Sequence, residues 1–73
     1  MSVKEVLNQL EDLFEMDENS LNVDMQLADI EEFDSMVKLS LIVMSDDDFG
    51  KKLTAEQINE FVKVKDVIDF LLG

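Results

Sequence analysis

The chain has 73 residues, 47% hydrophobic and 33% charged, which is enough for one small domain with a single core and leaves no room for a second unit. Eighteen acidic residues against six lysines give a net charge of −12 at pH 7, which disfavours nucleic acid and anionic membrane as partners and attracts basic protein surfaces. With neither Cys nor His there is no disulfide, no Cys or His nucleophile and no thiolate or imidazole zinc site, so packing alone must hold the fold.

Val3, Val6, Leu7, Leu10, Leu13 and Phe14 recur at three- and four-residue steps behind a Ser2/Glu5 capping box, which predicts a first helix over residues 3–15. Its other side, with Lys4, Glu5, Asn8, Gln9, Glu11, Asp12 and Glu15, reads as a solvated face. From Met16 to Asp34 the periodicity dissolves into polar residues interleaved with Leu21, Val23, Met25, Leu27, Ile30 and Phe33. The alternation from Leu21 to Met25 has no second strand-like run to pair with, so this stretch is expected to be coil pinned by its apolar residues, with one helical turn near Leu27 to Ile30.

A second helix is expected to start at Asp34 or Ser35, either of which can cap it, and to end at Gly50, with Lys51 and Lys52 beside its C-terminal dipole. Met36, Leu39, Ile42, Val43 and Phe49 form one stripe on it, and Val37, Leu41 and Met44 form another on the far side. A helix this apolar is either buried on most sides or presents its second stripe to a partner. Thr54 and Gln57 open a short third helix that turns Ile58 and Phe61 inward and ends between Glu60 and Val62. Val64, Val67, Ile68 and Leu71 then follow helical spacing to the C-terminus. The expected fold is an all-α small bundle of three longer helices plus one short helix, a single domain over 1–73.

Two kinds of site chemistry fail on spacing. Asp46, Asp47 and Asp48 before Gly50 evoke a calcium loop, but counting from Asp46 puts Lys51 where the turn glycine belongs and Gln57 where the bidentate Glu belongs. Nothing singles out a carboxylate pair for acid–base catalysis, and so small a bundle offers little room for a substrate pocket. Met16, Met25, Leu41, Ile42, Met44, Phe61 and Ile68 read as core. No apolar run approaches the about 20 residues of a membrane span, and no charged start followed by an apolar stretch marks a signal peptide. The expectation is a cytoplasmic monomer and, from Met1 to Gly73 with neither tag nor linker, a whole gene product.

Asp34-Ser35-Met36 on its own reads as an ordinary helix cap. The full order is more telling: a capped amphipathic helix, a long loop, Asp34-Ser35-Met36 opening an apolar helix, Asp46-Asp47-Asp48-Phe49-Gly50 closing it, a short capped helix and a last helix through Val64-Lys65-Asp66-Val67-Ile68-Asp69-Phe70. With Asp29-Ile30 ahead of the motif, this arrangement resembles the acyl carrier protein family over nearly the whole chain. The resemblance implies that Ser35 receives 4′-phosphopantetheine from coenzyme A through a phosphopantetheinyl transferase. It also implies that the arm's thiol carries acyl or aminoacyl cargo as a thioester, and that partner enzymes do the catalysis. The chain itself is then no enzyme, and any fatty cargo would lie between the second, third and fourth helices.

Two departures from the family pattern stand out. Met36 replaces the usual Leu and keeps an exposed apolar contact. Positions that are often acidic in fatty-acid carriers are Val37 and Ser40, with Lys38 between them. Docking is therefore expected to use Glu31, Glu32, Asp34 and the Asp46–Asp48 run for steering, with Met36, Val37, Leu41 and Met44 as apolar contacts, in a specialised pathway rather than bulk fatty-acid synthesis. The rival is an acidic helical adaptor with no cofactor, in which Ser35 is only a cap.

Overall fold

The computed structural model describes residues 2–73. Four helices are present, α1 (Val3–Phe14), α2 (Ser35–Phe49), α3 (Ala55–Glu60) and α4 (Val64–Leu72), with a 3-10 turn at Leu27–Asp29 and no strand among the described residues. Each helix follows from local chemistry. Ser2 accepts the amide of Glu5 at 3.2 Å while the Glu5 carboxylate accepts the amide of Ser2, the reciprocal box that opens α1. α1 stops one residue short of expectation because Glu15 turns left-handed, with φ 57°, which lets the Met16 amide reach the Glu11 carbonyl at 2.8 Å. Thr54 and Gln57 form the same kind of box for α3.

α2 ends at Gly50, whose φ of 65° is a conformation glycine adopts without penalty. Ser45, fully buried, donates its hydroxyl to the Lys51 carbonyl at 2.8 Å and so fastens the exit of α2. α1 packs on α2 and α4, and α2 packs on α3 and α4. Their shared core holds Val6, Leu10 and Phe14 of α1, Leu41 of α2, Ile58 of α3, and Val64, Val67, Ile68 and Leu71 of α4. Met16, Met25, Ile42, Met44 and Phe61 pack against this core, half-buried.

The long loop before α2 is fixed at both ends of its path. Leu21, Leu27 and Ile30 are buried in the core, as the apolar spacing implied. Its backbone also finds a partner that no side chain advertises: Gln26 and Lys63 form an isolated antiparallel bridge, with the Leu27 amide on the Val62 carbonyl and the Val64 amide on the Met25 carbonyl, both at 2.9 Å. Asp66 clamps the other side of that joint by accepting the amides of Val62 and Lys63 at 2.9 and 3.0 Å. Those two bonds to its charged form, chiefly the one from Lys63, hold the Asp66 carboxyl below its ordinary value.

Glu11 departs from the solvated face assigned to it. Only 3% of it is exposed, and its carboxylate accepts the Leu21 amide at 2.9 Å, because the loop folds back over this part of α1. A loop amide that would otherwise be buried without a partner is thereby satisfied.

Candidate functional site

The start of α2 is positioned by the residue two places before it. Phe33 stands edge-on to the buried Phe14 ring, with centroids 5.6 Å apart, and its amide reaches the Ile30 carbonyl at 3.1 Å. This anchors the chain where it leaves the loop. Asp34 then adopts extended backbone and caps α2: its carboxylate accepts the Val37 amide at 3.0 Å, and its carbonyl accepts the Lys38 amide at the same distance. Asp34 and not Ser35 is therefore the cap. Ser35 is the first residue of the helix and is exposed to solvent.

The other hydroxyls are engaged differently. Ser2 and Thr54 cap α1 and α3, Ser20 bonds the Asp17 carbonyl, and Ser45 is buried on the Lys51 carbonyl. Ser40 is exposed but lies in the second turn of α2, where the amides ahead of it are already used by the helix. Among the described residues Ser35 alone combines an exposed hydroxyl not taken up in capping with a long helix's N-terminus, where the free amides of Ser35 and Met36 and the positive dipole end suit a phosphate group. An ester oxygen at that hydroxyl would project into solvent, within reach of an incoming enzyme.

The surroundings are acidic and apolar. Glu31, Glu32 and Asp34 are exposed beside Ser35, and Met36 is 77% exposed. Lys38 is half-buried, its ammonium 5.4 Å from the centre of the Phe33 ring. An open depression of about 450 Å³ between α1 and α2 is lined by Leu13, Leu39, Val43 and Met44, with Asp47 and Asp48 at its edge.

The α2 residues expected to dock lie at different depths. Leu41 is fully buried, in keeping with its reading as core, and has no surface to offer a partner, whereas Val37 and Met44 pack on the core but are only half-buried. Of the stripe formed by Met36, Leu39, Ile42, Val43 and Phe49, Ile42 and Phe49 pack on the core, but Leu39 and Val43 are 65% and 59% exposed and lie outside with Met36. Apolar residues are spread almost evenly round α2, so its sequence pattern does not say which side is buried. The neighbours decide: α1, α3 and α4 all pack on the helix, and Leu41 is the apolar residue of α2 that they bury completely. Leu39 and Val43 are exposed apolar residues that the sequence reading did not single out for the surface, and their i, i+4 spacing was the available signal.

No group of three or more metal-ligating side chains is assembled among the described residues. Nor is any helix there long and apolar enough to cross a membrane.

The model of one protein family, described as the phosphopantetheine attachment site, matches residues 4–71, nearly the whole chain. No curated protein and no solved structure matches it significantly. Both the helical architecture and the exposed hydroxyl at a helix start agree with that match, and this chain belongs to the phosphopantetheine-attachment family, non-catalytic carrier domains that hold 4′-phosphopantetheine covalently and meet phosphopantetheinyl transferases and client enzymes.

Proposed function

We propose that Ser35 is the residue that carries the arm and that the domain serves a specialised thioester pathway in the cytoplasm. One observation carries the first part: Ser35 is the exposed first residue of α2, and the capping role that would occupy it falls to Asp34. In the loading step the Ser35 oxygen bonds to the phosphorus of the phosphopantetheine half of coenzyme A. The bond from that phosphorus to the nucleotide half breaks, and the hydroxyl proton passes to a base on the transferase. The arm then supplies the thiol on which acyl groups ride. What this chain contributes is presentation: an exposed attachment atom, a helix end that favours the phosphate, and a surface for other enzymes to grip.

That surface supports the second part. Met36, Leu39 and Val43 form an exposed apolar stripe running from the attachment point along α2. Val37 and Ser40, with Lys38 between them, stand where fatty-acid carriers of this kind often have acids. Glu31, Glu32 and Asp34 at one end, and Asp46, Asp47 and Asp48 at the other, frame the stripe with negative charge. The complementary partner patch has an apolar centre and basic margins, so that charge steers encounter and apolar burial sets residence time.

The test is intact-protein mass after incubation with coenzyme A and a broad-specificity transferase. Wild type and Ser40→Ala should each gain one phosphopantetheinyl group, and Ser35→Ala none. A gain in Ser35→Ala would refute the assignment. No gain in folded wild type with several transferases would favour the cofactor-free adaptor.

A further inference from the structure

We propose that the Lys38 ammonium pairs with the phosphodiester on Ser35, so that the domain carries its own counter-ion for its modification; this rests on Ser35 being the attachment residue. The need for a cation follows from the local charges. Glu31, Glu32 and Asp34 are exposed around the start of α2, and a phosphodiester adds a further negative charge to a chain already at −12. The helix end offsets only part of this. The Asp34 carboxylate already takes the Val37 amide and the Asp34 carbonyl takes that of Lys38, which leaves the amides of Ser35 and Met36 for the phosphate.

Lys38 is the only lysine between Glu5 and Gly50. It lies three residues after Ser35, a spacing that brings two helical side chains to within about 5–6 Å at their Cβ atoms. Its amine is held against a neighbouring ring. The side chain is half-buried, and the ammonium rests over Phe33, whose own ring is fixed against Phe14. Phe33, Lys38, Ile58 and Phe61 also line a depression of about 250 Å³ on that side of α2, so the lysine stem packs along an apolar wall with its charge at the rim. Phe33 and Ser35 flank Asp34, so the ring that holds the ammonium and the attachment residue are two positions apart, and the flexible lysine stem lets its charge turn from one to the other. A charge-assisted bond to phosphate is stronger than the exposed cation–π contact it replaces. In the unmodified protein the ring therefore parks the lysine; in the modified one the phosphate takes it.

Wild type, Lys38→Met, Lys38→Arg and Lys52→Met are each prepared without and with the arm. Intact mass confirms one arm per chain, and its failure in wild type would be the failure of the Ser35 assignment. Two readings are then taken: the change in Tm on loading at low salt and at about 0.3 M salt, where screening is strong, and the phosphorus NMR shift of the diester. In Lys38→Met the change in Tm on loading should be less favourable than in wild type by about 1–5 °C at low salt. That gap should narrow at high salt, and the diester resonance should move. Lys38→Arg should behave like wild type. Lys52→Met makes the same change in net charge beyond the far end of α2 and should also match wild type. Equal loading shifts and equal phosphorus shifts in all four proteins, or a Lys52→Met that behaves like Lys38→Met, would overturn the pairing.

Discussion

Leu41→Ala and Leu39→Ala remove the same atoms from one helix, two residues apart, and should have opposite consequences. Leu41 has no exposed surface and belongs to the core shared by the four helices, so its truncation loses the transfer energy of the side chain and opens a cavity. Such substitutions cost about 2–5 kcal/mol. A 73-residue domain at about 0.05–0.15 kcal/mol per residue has only about 4–11 kcal/mol to lose. At about 4–8 °C per kcal/mol for a domain of this size, a loss near 3 kcal/mol lowers Tm by about 12–24 °C. Leu39 is 65% exposed, and its truncation should stay within about 0.5 kcal/mol of wild type. Function should separate the other way. Leu39→Ala, fully folded, should slow transfer of cargo to client enzymes by loss of an apolar contact, with loading of the arm by the transferase as a reference reaction. Thermal unfolding followed by far-UV circular dichroism supplies the stability comparison. Equal destabilisation by the two variants, or a harmless Leu41→Ala, would refute the orientation assigned to α2.

Three further outcomes follow from the framework around the site. Gly50→Ala should cost about 1–2 kcal/mol in chemical unfolding, because the left-handed backbone at φ 65° penalises any Cβ even though an added Cβ meets nothing within 4 Å; an unchanged midpoint would contradict this. Glu11→Ala should cost about 1–3 kcal/mol and speed hydrogen exchange at the Leu21 amide, which loses its buried acceptor, whereas Glu11→Gln keeps an acceptor oxygen and should lose less. Equal losses in the two Glu11 variants would mean that the bond contributes nothing. Asp66 titrates lower folded than unfolded, so its contribution is complete above the unfolded value of about 3.9 and fades as pH falls through that value toward the folded one. Asp66→Asn should accordingly lower Tm at pH 6, and the gap to wild type should shrink by pH 3; a gap that widens on acidification would contradict the sign.

The helix ends were legible because short-range chemistry sets them. Ser2 with Glu5, Asp34, Gly50, and Thr54 with Gln57 mark the boundaries that the backbone adopts. The burial of Leu21, Leu27 and Ile30 was legible too, since apolar residues in an otherwise polar loop have few other places to go. Three features were not. The Gln26–Lys63 bridge is made by backbone groups and leaves no trace in side-chain identity. The burial of Glu11 depends on a loop crossing over α1, which no local pattern encodes, although Asp66 three residues after Lys63 was a readable capping signal. The facing of α2 was hidden because its apolar residues surround the helix, so the inward side is chosen by tertiary packing and not by periodicity. At the site itself, sequence left Asp34 and Ser35 as alternative caps. The hydrogen bond from the Val37 amide to Asp34 separates them and frees the neighbouring hydroxyl.

That separation makes the residue-level location of the arm the decisive observation. Fragmentation mass spectrometry of the loaded protein reads it directly, by finding which residue retains the phosphopantetheinyl group. The account predicts a single modified residue, Ser35, with Ser2, Ser20, Ser40, Ser45 and Thr54 unmodified. An arm on any of those five, or a second arm beside the one on Ser35, would contradict it.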